Sequence, residues 1–289
     1  MRWTNRGRSA NLEDRRGSRA GGGMRLPLPG GRMSLGLVLV LLLASLVFKR
    51  NFFALLGGDG GPTPAGEASQ PYQGTPEEEQ LVAFVSFVLD DAQEVWARTF
   101  AEMGRDFRAA RLVLFTDGVR SGCGDASAAM GPFYCPADER VYIDLGFYRE
   151  LRSRFGAPGD FAQAYVLAHE LGHHVQHLFG IDESVRARQS ASPRSANALQ
   201  VAMELQADCL AGVWAHSTQR RNLLEEDDVE EAMNAAAAVG DDRIQKQATG
   251  RVTPDTWTHG SSKQRMAWFV RGLRSGDPSV CDAFAEPGD

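Results

Sequence analysis

Two histidines four residues apart with a glutamate beside the first, His169, Glu170 and His173, restrict the folds open to this chain more than any other feature. They lie in FAQAYVLAHELGHHVQHLFG at 161–180, with Asp160 available as an N-cap and Gly180 as a stop, a pattern that predicts one helix. Residues four apart project from one helix face, so both imidazoles can grip a single divalent cation with Glu170 beside them. Zinc takes neutral imidazole donors, and a site with one position open to water lowers the pKa of that water to about 7. Glu170 is then the expected general base. The bland alternative is a solvated polar face, but Val166, Leu167 and Leu171 crowd these residues too closely for that.

The cation needs a third protein ligand. A histidine in the HExxHxxGxxH arrangement is excluded, because Gln176 and Phe179 stand where glycine and histidine are required. Downstream, MELQADCLA at 203–211 sets Glu204 and Asp208 four apart on one helical face. Glu204 can complete the coordination, and Asp208 can accept from the far nitrogen of a bound imidazole and fix its tautomer. The competing reading is an exposed acidic pair. Asp182, Glu183 and His216 are weaker ligand candidates. His173 and His177 are also an i, i+4 pair but lack a glutamate placed as a base, so His174 and His177 read as bystanders.

Charge is unevenly spread. The formal net charge is -6, yet the first 33 residues hold eight arginines against Glu13 and Asp14. The remainder is acidic and offers no basic surface for nucleic acid. An apolar run follows, Leu35 to Phe48, then Lys49 and Arg50, then Phe52 to Leu56. Residues 34–56 would span a bilayer if Lys49 and Arg50 snorkel to the interface. A cleaved signal peptide is the rival reading, and Gly-rich flanks argue against a buried core helix. The expectation is a retained single-pass anchor in the bacterial cell membrane, with a cytoplasmic tail at 1–33 and the domain at 76–289 on the periplasmic side. Residues 57–75, rich in Gly, Pro, Ser and Gln, read as a flexible linker. Four cysteines suit an oxidising compartment and allow three pairings. Cys123 and Cys135 bracket a short Gly/Ala-rich loop and are expected to pair, leaving Cys209 for Cys281; zinc binding by cysteine lacks any CxxC spacing.

From Thr75, Pro76 and three glutamates a helix is expected to run to about Gly104. Strands are expected at Arg111 to Phe115 and Arg140 to Asp144. Helices are expected at 147–155, 160–179, 195–219, 225–247 and 262–274. The class is α+β: a mostly helical zincin-like domain with a small β-sheet, preceded by a single N-terminal transmembrane helix.

At HExxH followed by ExxxD the chain resembles the glutamate-zincins. More narrowly it resembles the bacterial neutral zinc metallopeptidase family, through NLEDRR at 11–16, GPFYCPADERVYID at 131–144, HELGHHVQ at 169–176, ELQADCLAGVWA at 204–215 and THGSSKQR at 258–265. The resemblance implies zinc on His169, His173 and Glu204, and hydrolysis of a protein or peptide substrate. It also implies a substrate rail along Arg140 to Asp144. By similarity to HP-x-x-x-x-R segments, His259 would donate to the oxyanion and Arg265 would brace a carboxylate, although His259 could instead cap the following helix. Two other functions remain open: a catalytically silent membrane-tethered zinc-binding module, which would have no need of Glu170, and a zinc hydrolase of non-peptide substrates.

Overall fold

The computed structural model describes residues 1–17, 72–154 and 156–285. Thr75 starts the first long helix, α1 (Pro76–Glu102). Its side chain accepts from the Glu78 backbone N–H while the Glu78 carboxylate takes the Thr75 N–H, a reciprocal cap with proline in the first turn.

Two apolar strands, β2 (Arg111–Phe115) and β6 (Arg140–Asp144), form the centre of a four-stranded sheet of order β1-β2-β6-β5, with β1 at Leu12–Asp14 and β5 at Phe133–Cys135. β1, β2 and β6 run parallel; β5 is antiparallel to β6. Leu112, Leu114, Val141 and Ile143 face the helical core, while Val113, Phe115 and Tyr142 pack under a hairpin of β3 (Gly118–Ser121) and β4 (Gly124–Ser127). Burial on both faces accounts for the unbroken apolar runs that made these strands legible.

The helical part comprises α2 (Gly146–Ser153), α3 (Asp160–Leu178), α4 (Ile181–Ala191), α5 (Ala196–Arg220), α6 (Asp228–Ala238), α7 (Asp241–Thr249) and α8 (Ser262–Ser275). α3 packs on α5, and α5 on α8, at backbone contact. A Cβ on Gly172 of α3 would lie 2.9 Å from the Ala207 carbonyl oxygen, and one on Gly212 of α5 would lie 2.1 Å from that of Phe269. No residue but glycine allows helices so close. Disulfides join Cys123 to Cys135 and Cys209 to Cys281, the pairs expected.

Two local expectations shift. The segment 225–247 is two helices, because Gly240 is extended (φ -71°, ψ 140°) and turns the chain so that Asp241 binds a loop described below. Asp160 is the first helical residue of α3 rather than its cap; its carboxylate instead accepts from the Met1 α-amine at 2.7 Å, beside Asp228 at 3.1 Å.

The membrane topology is overturned. The expected anchor at 34–56 lies outside the described residues, and among those described no helix is long and apolar enough to cross a membrane. More tellingly, residues 1–17 and 73–289 form one compact unit, with Leu12, Glu13 and Asp14 paired to Leu112, Val113 and Leu114. A strand cannot hydrogen-bond to its neighbour through a hydrocarbon layer. A cytoplasmic start and a periplasmic domain on either side of a single-pass helix are therefore incompatible with the sheet. The arginines serve the fold: Arg16 is buried and its guanidinium pairs with Asp14 and Glu79 at 2.7 and 2.9 Å.

Candidate metal centre

The crossing of α3 and α5 places His169 and His173 opposite Glu204. Ligand atoms of the three lie within 4.8 Å of one another, with Glu204 oxygens 3.2 Å from His169 Nε2 and 3.7 Å from His173 Nε2. The other nitrogen of each ring is already engaged. His169 Nδ1–H donates to Asp208 at 2.8 Å and His173 Nδ1–H to the Gln176 side-chain oxygen at 2.8 Å. Both rings are thereby turned so that their Nε2 atoms face the Glu204 carboxylate. Two imidazole nitrogens and one carboxylate, each held from behind, make a donor set that fits zinc with a position to spare.

The supports are themselves supported. Arg265, on the first turns of α8, donates twice to Asp208, at 2.8 and 2.9 Å, and Tyr165 donates its hydroxyl to the same carboxylate. Gln176 is fixed by its own amide, which donates to the Met203 carbonyl at 2.8 Å and to Gln206 at 3.0 Å. Gln200 donates to Glu204 at 3.1 Å. Burial alone would raise the pKa of Glu204, but the charge of His173 and hydrogen bonds from both imidazoles outweigh it and hold the carboxyl well below the ordinary range. Burial likewise opposes ionisation of Asp208, and Arg265 and His169 reverse it. For His169 burial lowers the pKa, and the charge and hydrogen bond of Asp208 override it to about 9.

Glu170 differs from its neighbours. It is buried, and burial pushes its carboxyl above the usual carboxylate range, only partly offset by His169 and His173. It lines a cleft of about 890 Å³ together with His169, His173, Glu204, His259 and Arg265. His259 is half exposed there, its Nδ1 3.1 Å from Asp241. The second Asp241 oxygen accepts the backbone N–H groups of Thr258, His259 and Gly260 at 2.7, 2.6 and 3.1 Å. His259 does not cap α8: Ser261 does, in a reciprocal pair with Gln264.

Other candidates fall away from the cluster. His177 pairs with Asp182 at 3.0 Å, His174 with Tyr134 and the Arg108 carbonyl, and His216 with the Leu273 carbonyl. Glu183 belongs to the first turn of α4 and is not among the residues lining the cleft. The expected substrate rail at Arg140 to Asp144 is corrected by the strand order: β2 pairs along all of β6, and β5 takes the other edge at Arg140 to Tyr142. Among the described residues the free edge on this side of the sheet belongs to β5, whose Phe133 and Tyr134 line the cleft. Sequence reasoning missed Tyr165, Gln176 and Asp241. The first two were findable, lying four residues before His169 and three after His173 on the same helix, within reach of its face.

Comparison with known proteins adds the family. The sequence profile described as "Putative neutral zinc metallopeptidase" matches residues 1–284. The chain belongs to that family. The chain is 46% identical to the uncharacterized protein YpfJ of Escherichia coli K12 across 99% of both chains. It is 49% identical over 183 residues to an uncharacterized protein of Mycobacterium tuberculosis H37Rv, covering 60% of this chain and 61% of that one. No solved structure matches. Membership of this family implies zinc and a peptidase in general terms, and the residues just described are a donor set that suits both.

Proposed function

We propose that the protein is a zinc-dependent endopeptidase in which His169, His173 and Glu204 hold the metal and Glu170 is the general base. The observation that carries this reading is the meeting of two imidazoles and a carboxylate from two helices in the wall of one cleft, with a second buried carboxylate, Glu170, beside them. The bound cation would polarise a water molecule and the scissile carbonyl. Glu170, its carboxyl already raised by burial, takes the proton from that water and returns it to the leaving amine. Asp208 holds His169 in one tautomer, and Gln176 does the same for His173. His259, held from behind by Asp241, lines the same cleft and is the group proposed to donate to the oxyanion of the tetrahedral intermediate. The free edge of β5 accepts an extended substrate by strand pairing.

Glu170 also weighs against a purely structural metal site. A buried carboxylate beside the cluster that is not one of its three donors costs stability, and a silent binding module would gain nothing from it. The test is peptide-library cleavage before and after chelation, with Glu170→Gln alongside. Loss of general-base catalysis alone costs on the order of 10²–10⁴-fold in kcat, so the variant is expected to bind zinc at parental stoichiometry and cleave at least a hundredfold more slowly. Parental turnover by Glu170→Gln under strict metal control would refute the mechanism.

A further inference from the structure

We propose that His174 is a positioning residue that sets the height of the β5 edge over the metal cluster by way of Tyr134. This deepens the reading above and rests on β5 being the strand that receives the substrate.

β5 has three residues and, among the described residues, one neighbouring strand, so β6 alone cannot hold it firmly. Each of its residues carries a separate tether. The Phe133 ring stacks on Tyr142 of β6, centroids 4.9 Å apart and planes 8° off parallel. Cys135 is joined to Cys123 in the β3–β4 hairpin. Those two point to one face of the sheet, as alternate residues must; the ring stack holds β5 to β6 and the disulfide ties it to the hairpin. Tyr134 points to the other face, and it alone of the three reaches the helix that bears the histidines: its hydroxyl lies 2.9 Å from His174 Nδ1.

The direction of that bond is fixed by what stands behind it. His174 Nε2 lies 2.6 Å from the Arg108 carbonyl oxygen, which can only accept, so Nε2 carries the proton. A neutral ring then presents a bare Nδ1, and the tyrosine donates to it. His174 is wholly buried, with the Phe107 ring edge-on at 5.7 Å. The Arg108 guanidinium returns to Glu139, in the turn between β5 and β6, at 2.8 Å. A chain of contacts therefore runs from α3 through His174 to the middle of β5 and to the turn that follows it. Consecutive helical residues point about 100° apart, so His173 faces the cation cluster while His174 faces the sheet. One turn of helix thus fixes both the metal ligand and the strand that would present the scissile bond to it.

A bond of this kind contributes about 1 kcal/mol, equivalent to a five- to tenfold change in an equilibrium constant. The test compares Tyr134→Phe, His174→Gln and the double variant in the full chain, using an octapeptide long enough to lie along β5 and a blocked dipeptide confined to the cluster. Each single variant is expected to raise the octapeptide KM about fivefold with kcat within about twofold, to keep zinc stoichiometry, and to shift the dipeptide KM less than twofold. The double variant is expected to be no worse than either single one, because both remove the same contact. Equal losses on both peptides, additive losses in the double variant, or no change in octapeptide KM would overturn the proposal. Should His174→Gln fail to fold, Tyr134→Phe removes a single oxygen and carries the length comparison alone. A parent enzyme that cleaves neither peptide refutes the peptidase reading itself, a different result from a parent that cleaves both and variants that do not distinguish them.

Discussion

Gly172→Ala isolates how tightly the metal geometry depends on one missing methyl group. In an isolated helix the change would stabilise by about 1 kcal/mol, since glycine is the poorer helix former. Here the new Cβ would lie 2.9 Å from the Ala207 carbonyl oxygen and 3.1 Å from its Cα, about half an ångström short of ordinary contact with backbone that cannot rotate away. α3 and α5 must then separate. Gly172 lies between His169 and His173, and Ala207 between Glu204 and Asp208, so the strain falls at the centre of the cluster. Ligand distances tolerate about 0.2 Å. A separation of even half the required shift takes Glu204 beyond that margin, and disturbance of such support typically costs 10- to 100-fold in metal affinity. Overpacking strain of about 1–3 kcal/mol is partly offset by the helix gain, so the domain should fold with a modestly lower melting temperature. Competition titration against a chromophoric chelator, with thermal melts followed by circular dichroism, reads both effects. Parental zinc affinity in a folded Gly172→Ala protein would refute the reasoning. Gly212→Ala, whose Cβ would meet the Phe269 carbonyl oxygen at 2.1 Å, is the contrast: there the collision is severe enough to prevent folding.

Removing Arg265 leaves Asp208 buried without its cation, so Arg265→Met should lower stability by about 3–5 kcal/mol, measured by denaturant unfolding; a parental midpoint would show that the pair contributes nothing. Zinc uptake should release protons at pH 7, because the His169 pKa, lowered by burial but lifted by Asp208, stands at about 9 and the ring must lose a proton to bind. Calorimetry in two buffers of different ionisation enthalpy would give identical heats if that were wrong. Asp241 is held below the ordinary aspartate range: burial opposes this, but His259 and the backbone N–H groups of the loop prevail. Its contribution is present above the unfolded pKa, near 3.8, and is lost as pH falls through the depressed folded value. Asp241→Asn should flatten that part of the acid-unfolding profile, and an unchanged profile would count against the role of the loop.

What could be read in the sequence was whatever is local. HExxH and ExxxD each state a relation between residues four apart on one helix, and helix geometry turns that directly into a shared face. The long helices and the two doubly buried strands were legible for the same reason. Long-range relations were not. β1 is three residues without periodicity, and only its pairing with a strand about a hundred residues later makes it a strand. The arginines around it looked like a topogenic charge bias, while Arg16 is in fact buried and pairs with Asp14 and Glu79. The break at Gly240 was masked by helix-favouring sequence on both sides, since its cause is the hold of Asp241 on residues 258–260. Likewise, spacing placed a strand before the histidine helix but could not say that β5 would cover its edge.

The glycines tie these two levels together. On propensity alone Gly172 and Gly212 each cost their helices about 1 kcal/mol. Their use is that α3, α5 and α8 touch backbone to backbone, which leaves the short side chain of Asp208 able to reach partners on both neighbouring helices. With larger residues at the crossings, an aspartate on α5 could not accept from His169 on one side and Arg265 on the other. The hydrogen bonds that orient the histidines follow from the packing distance, and the packing distance follows from residues that carry no chemistry at all. The opposite wall of the cleft has no such crossing: β5 is a three-residue edge strand, and the loop bearing His259 is held mainly by one carboxylate.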